Sequence, residues 1–137
     1  MNECEARKLI SLAEDARKSA YAPYSHVTVG AALLCKGGKI YLGANIENAA
    51  FSPSVCAERV AFSSAVFAGA REFTAIAVVG GDEGKPHTRA FVPCGVCRQT
   101  MAEFCSEDFT VLLAEGEKTV RFTLSELFPH GFGKDFL

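Results

Sequence analysis

Cys56-Ala57-Glu58 and Pro93-Cys94-Gly95-Val96-Cys97 are the two stretches whose residue types and spacing could do chemistry together. Three thiolates can fill three corners of a zinc tetrahedron. Structural zinc sites close the fourth corner with a protein ligand, whereas catalytic sites keep it for water. A glutamate two residues after the first cysteine is placed to move protons to and from that water. By itself a Cys-x-x-Cys pair is open to three readings: a redox dithiol, half of a structural zinc site, or chance. The upstream Cys-Ala-Glu favours a mononuclear catalytic zinc. The nearest spare thiol, Cys105, falls at the far end of the same helix as Cys97. At about 1.5 Å rise per residue it is expected more than about 10 Å away. Glu58 as a fourth ligand would close the site, so it is read as the proton carrier.

This ligand set makes an electrostatic demand. Three thiolates around Zn²⁺ leave one excess negative charge, and a water on such a centre is a poor acid unless something offsets that charge. Arg59 is the first candidate to sit beside a cysteine sulfur, and Arg98 the second. Helix N-termini add to the same effect. Cys94 and Cys97 are spaced to share one side of a first helical turn, Pro93 suits the helix entry, and Cys56 takes the matching place on another helix.

The elements that must position these residues follow from periodicity and turn chemistry. Residues 2–20 read as a helix with a stripe of Leu9, Ile10, Leu12, Ala13 and Ala16, stopped by Pro23. Alternation from Val27 to Leu33 predicts a strand, Lys36-Gly37-Gly38-Lys39 a hairpin turn, and 40–44 a returning strand. Asn45-Ile46-Glu47-Asn48 leaves that strand as either a ligand-facing surface or a turn with two capping asparagines. Ser52-Pro53-Ser54 is expected to open the second helix, which Gly69 ends. The apolar run 75–79 predicts a strand buried on both faces. Residues 80–90 read as a polar loop, with His87 taken as solvated rather than a ligand. A third helix then runs from Cys94 to about Phe104. Strands over 109–114 and 119–122 and a short helix over 124–128 complete one domain spanning 1–137. Cys4, Cys35 and Cys105 are expected to be plain packing. Strands joined by crossover helices imply a mixed sheet covered on both faces.

Composition narrows the partners. The chain has 137 residues, 49% hydrophobic and 22% charged, with a net charge of −2. That balance argues against a polynucleotide backbone as ligand and suits a small, nearly neutral molecule. No apolar run approaches the roughly 20 residues of a membrane span, and the polar N-terminus lacks a signal-peptide layout, so the expected location is cytoplasmic. Without an export signal, six cysteines point to metal binding and free thiols rather than disulfides.

Five segments together carry a resemblance: Tyr21-Ala22-Pro23-Tyr24-Ser25, Val29-Gly30-Ala31-Ala32-Leu33, Asn45-Ile46-Glu47-Asn48-Ala49, Cys56-Ala57-Glu58-Arg59 and Pro93-Cys94-Gly95-Val96-Cys97-Arg98-Gln99. The chain resembles the small, homotetrameric, zinc-dependent cytidine deaminases nearly end to end. The resemblance implies a three-layer α/β/α sandwich with a five-stranded mixed sheet. It implies one Zn²⁺ per subunit on Cys56, Cys94 and Cys97, and hydrolysis of cytidine and 2′-deoxycytidine to the uridine products and ammonia in pyrimidine salvage. Glu58 would take a proton from the activated water, protonate N3 and pass the proton to the leaving amine. Asn45 and Glu47 would hold the ribose 3′-hydroxyl, the backbone at Ala57 and Cys94 would contact the base, and Phe132 would cover a neighbouring subunit's pocket.

The chain departs from the family pattern at three positions. Val27 stands for a phenylalanine against the base, a loss of ~0.5–1.5 kcal/mol of ring contact if nothing fills the space. Phe51 stands for a tyrosine near the ribose 5′-hydroxyl. Val92 stands for a serine, without an assignable effect. Two other functions compete: a blasticidin S-type deaminase, and a non-catalytic zinc or dithiol module. The latter requires a fourth ligand or a metal-independent pair and leaves Glu58 without a task.

Overall fold

A computed structural model describes all 137 residues, Met1–Leu137. Helix α1 (Glu3–Ala16) opens on a reciprocal cap: the Asn2 side chain accepts the Glu5 N–H, and the Glu5 carboxylate accepts the Asn2 N–H. Ala6, Leu9, Ala13 and Ala16 form its buried stripe. The helix is shorter than the sequence pattern suggests, because the chain tightens into a 3₁₀ turn at Arg17–Ser19 before Pro23.

Strands β1 (Val27–Cys35) and β2 (Ile40–Ala44) pair as an antiparallel hairpin. Its turn needs left-handed backbone, which Gly37 and Gly38 supply at φ 98° and 103°. Then come α2 (Ala57–Phe67), β3 (Phe73–Asp82), α3 (Gly95–Phe104), β4 (Thr110–Glu115), β5 (Lys118–Thr123) and α4 (Leu124–Leu127). The five strands lie in the order β2-β1-β3-β4-β5, and only β3 and β4 pair in parallel.

The sheet is the middle of three layers. Ala32, Ala75, Ala77, Val79 and Leu112 face α1. Ala31, Leu33, Ile76, Val78 and Val111 face the opposite way, into a core with Ala57, Ala61 and Phe62 of α2 and Cys97 and Met101 of α3. Alternation along each strand thus feeds two cores, as expected of a mixed sheet covered on both faces. The direction of the strands places the chemistry. Both β2 and β3 run antiparallel to β1. They therefore point the same way, and the helices that follow them, α2 and α3, begin at the same end of the sheet.

Several local expectations need correction. Helix α2 begins at Ala57, with Cys56 as its N-cap, and Ser52-Pro53-Ser54 lies in turns before it. Two contacts explain the delay. Phe51 takes a left-handed φ of 61°, and Ile46 forms an antiparallel bridge to Val55, holding the segment extended. Strand β3 extends to Asp82, because its end pairs with Val27 and Thr28 at the start of β1. His87 is not a solvated loop residue: its side chain is 18% exposed, with Nδ1 2.7 Å from Glu14 Oε2 and Nε2 2.8 Å from the Gly116 carbonyl oxygen. Cys35 is buried and Cys105 packs against the larger core, but Cys4 is exposed.

Candidate active site

The common starting end of α2 and α3 brings the three cysteines together. Cys56 is the N-cap of α2 and Cys94 the N-cap of α3, both with extended backbone, and Cys97 lies in the first turn of α3. The three sulfurs lie within 4.8 Å of one another. Cys56 Sγ is 3.8 Å from Cys94 Sγ, and Cys94 Sγ is 3.6 Å from Cys97 Sγ. Zn–S bonds of about 2.3 Å in a tetrahedron set sulfurs about 3.8 Å apart, so the spacing fits zinc. No fourth His, Cys, Asp or Glu joins the group. Cys105 is the C-cap residue at the other end of α3.

Charge in the cluster is distributed unevenly. The neighbouring Cys97 thiol first, then Arg59 and Cys94, draw the Cys56 thiol down to about 5. The negative Cys56 in turn holds Cys97 protonated, above the usual thiol range. A divalent cation is what lets all three serve as thiolates. Burial follows the same logic: Cys97 is buried, Cys56 half-buried and Cys94 exposed, so the open side of the cluster lies at Cys94.

Glu58 is 4% exposed, an unusual place for a carboxylate. Burial pushes its pKa above the ordinary glutamate range, and the negative Cys56 adds to the rise. A buried carboxyl holds a proton more readily than a solvated one, which suits a group that takes up and passes on protons. Arg59 reaches back along α2. Its Nη2 donates to the Ser54 carbonyl oxygen at 3.1 Å and toward Cys56 Sγ at 3.8 Å. Burial works against the Arg59 charge, but its bond to Cys56 and the thiolate charges outweigh that and keep it protonated. Arg98 is placed differently. Its Nε donates to the Pro93 carbonyl oxygen at 2.8 Å and its Nη1 to that of Leu127, so it ties α3 to α4 rather than meeting a sulfur.

The remaining expected site residues lie on the loops beside this cluster. Asn45 spans the edge of β1: its Oδ1 accepts the Val29 N–H at 2.8 Å and its Nδ2 donates to the Val27 carbonyl oxygen at 2.9 Å. It is therefore neither a helix cap nor a free surface residue. Glu47 Oε1 accepts the N–H groups of Tyr24 and Ser25 at 3.0 and 3.1 Å, and its Oε2 accepts the Ser25 hydroxyl. Those bonds, the Ser25 hydroxyl first, hold its pKa below the ordinary range. The Ser25 hydroxyl oxygen also accepts the Val27 N–H at 3.0 Å, so one side chain joins Glu47 to Val27. Sequence reasoning missed this role for Ser25. The only signal is a small hydroxyl in an irregular segment, which is common in loops.

Two depressions border these loops. One, of about 400 Å³, is lined by Tyr24, Ser25, Glu47, Asn48, Phe51 and Ser54. The other, of about 480 Å³, has Val27, Gly80, Gly81 and Phe91 in its wall. Neither is lined by a cysteine or by Glu58. Phe51 is 73% exposed and meets Tyr24 edge-on at 6.4 Å. Ala57 is fully buried, half-exposed Phe132 stacks on Phe136 at 5.1 Å, and Val92 is also half-exposed.

Known proteins share this arrangement. Residues 4–113 match the family described as the cytidine and deoxycytidylate deaminase zinc-binding region. A cytidine deaminase of Sporosarcina psychrophila is 46% identical over 97% of this chain and 95% of its own length. A blasticidin-S deaminase of Bacillus cereus is 33% identical over 89% of this chain and 88% of its own. The crystal structure of cytidine deaminase from Burkholderia pseudomallei superposes with a TM-score of 0.85 at 41% identity, covering 96% of this chain and all of that one. With the sulfurs spaced for zinc at two helix N-termini and a buried glutamate beside them, the chain belongs to the zinc-binding cytidine and deoxycytidylate deaminase family.

Proposed function

We propose that this protein hydrolyses cytidine and 2′-deoxycytidine to uridine and 2′-deoxyuridine with release of ammonia. The observation that carries the reading is a buried Glu58 two residues from Cys56, in a three-cysteine cluster that keeps one side open. Zinc held by Cys56, Cys94 and Cys97 supplies a Lewis acid that makes water a nucleophile at neutral pH. Glu58 accepts a proton as water adds to C4 of the pyrimidine and delivers it to N3. In the second half it carries a proton to the 4-amino group, which leaves as ammonia while C4 becomes a carbonyl. Arg59 draws negative charge from Cys56 and keeps the cluster electrophilic. Ala57 and Cys94 present backbone groups to the base. Asn45 and Glu47 form the ribose end, with Val27 and Phe51 along its sides and their shapes setting substrate range.

A finer part of this reading is a homotetramer whose sites are completed between subunits. It is supported by the exposed rings of Phe51 and Phe132 and by depressions that stop short of the cysteines. Gln99 Nε2 donates to the Phe132 carbonyl oxygen at 2.9 Å, holding the tail that presents this ring. The substrate and product suit pyrimidine salvage in the cytoplasm, and no helix is long and apolar enough to cross a membrane. A structural zinc site needs a fourth ligand that the cluster lacks, and a metal-independent dithiol leaves Glu58 without a task. The Asn45-Ile46-Glu47-Asn48 segment favours a nucleoside over blasticidin S.

The test follows loss of the 4-amino chromophore with cytidine, 2′-deoxycytidine and blasticidin S as substrates. Glu58→Gln is expected to keep its zinc and lose about 10²–10⁴-fold in kcat. Normal turnover by that variant overturns the assignment, and turnover of blasticidin S alone replaces the nucleoside. Mixed tetramers of Glu58→Gln and Phe132→Ala subunits are expected to regain activity that neither has alone. A fully active monomer in sedimentation sinks the shared site.

A further inference from the structure

Two glycines let helices ride directly on strand backbone, one on each face of the sheet. A Cβ at Gly43 of β2 would stand 2.2 Å from the Ala57 carbonyl oxygen and 2.6 Å from the Ala61 nitrogen of α2. A Cβ at Gly30 of β1 would stand 1.9 Å from the Ala13 carbonyl oxygen and 2.8 Å from the Arg17 nitrogen, at the end of α1. The contacts are alike in kind, since each wedges between two residues four apart on a helix. All the obstructing atoms are backbone, so no side chain can swing aside. Both glycines are buried, and both keep ordinary strand conformation, so close approach and not left-handed backbone is what excludes a side chain.

What differs is the cargo of the two helices. Helix α1 carries none of the residues assigned to the reaction. At Gly43 the obstructed atom belongs to Ala57, between Cys56 and Glu58. The same first turn is held by the Val60 N–H, which donates to the Cys56 carbonyl oxygen at 3.1 Å. A methyl group at Gly43 would lift that turn by roughly 1 Å, a displacement on the scale that costs an enzyme about 10²-fold. Cys94 and Cys97 lie at the start of α3, which follows β3 and not β2, so the lift falls first on Cys56 and Glu58.

We infer that Gly43 is a positioning residue for the deaminase site: by lacking a side chain it sets the height of the first turn of α2, and with it the register of Cys56 and Glu58 against Cys94 and Cys97. The inference rests on the functional reading above for its kinetic arm only. The experiment compares Gly43→Ala with Gly30→Ala, loaded with zinc for kinetics and with Co²⁺ for spectroscopy. Both variants are expected to lose thermal stability. Only Gly43→Ala is expected to change the Co²⁺ d–d and thiolate charge-transfer bands, weaken Co²⁺ retention against a chelator, and lower kcat by about 10²-fold with KM little changed. Wild-type bands and kcat in a folded Gly43→Ala protein overturn the inference, and so does the same spectral change in Gly30→Ala. If Gly43→Ala does not fold, Ala61→Val crowds the same seam from the helix side, and unchanged bands there are equally fatal. Because the cobalt bands need no substrate, a wild-type protein inactive on cytidine would refute the proposed function while leaving this test intact.

Discussion

Ser25 shows how much a single exposed side chain can carry. It donates to Glu47 and accepts from Val27, so Ser25→Ala releases one end of the carboxylate clasp and the start of β1 together. That variant is expected to raise KM for nucleosides several-fold while leaving kcat and zinc content near wild type, as steady-state kinetics and metal analysis will show. The clasp also has a pH signature. Glu47 has a lowered pKa when folded, so it stabilises the loop above its unfolded value, about 4.3, and this stability is lost as pH falls through the lower folded value. Protection of the Tyr24 and Ser25 amides from exchange is expected to hold at neutral pH and to be lost only below the ordinary glutamate range. The other thiols divide by burial. Burial pushes Cys105 up to about 12 and raises Cys35 as well, whereas Cys4 is exposed. A thiol reagent at pH 8 is expected to label Cys4 at once and Cys35 and Cys105 only on unfolding. Early labelling of Cys105 contradicts its packing against the core.

At the scale of elements, the two arginines separate function from support. Arg59→Ala removes the donor to Cys56 and is expected to lower activity more than stability. Arg98→Ala leaves the Pro93 and Leu127 carbonyl oxygens without their donor, and is expected to cost about 1–3 kcal/mol of stability with zinc retained, readable by denaturant titration. Sequence placed Arg59 first beside a sulfur, where it lies, but not Arg98 on the Leu127 carbonyl, because that partner depends on how α3 and α4 dock. The helices and strands themselves were legible wherever apolar period and turn glycines agreed, as in the β1–β2 hairpin. They were misread where a long-range contact overruled a local signal. Ser52-Pro53-Ser54 carries good helix-start chemistry, yet it folds into turns, and the Ile46–Val55 bridge delays the helix until Cys56. His87 looked solvated because its partners, Glu14 and Gly116, lie 73 and 29 residues away.

For the whole molecule, the cysteine cluster was legible because its residue types are rare and its chemistry is demanding. The rim was not, because Asn45 and Glu47 make their contacts through loop geometry that no spacing encodes. The sheet topology adds something about the molecule's history. Cys56 and Cys94 are 38 residues apart, and they meet only after β3 has paired beside β1 and α3 has folded back over it. The ligand set is therefore assembled by tertiary structure and not by any one local segment. Zinc held by Cys56 and Cys94 would close a long loop and so restrict the chain as a reversible cross-link does. The metal is thus also a fastener between two halves of the domain, and a cell short of zinc should lose this protein to proteolysis as well as to inactivity.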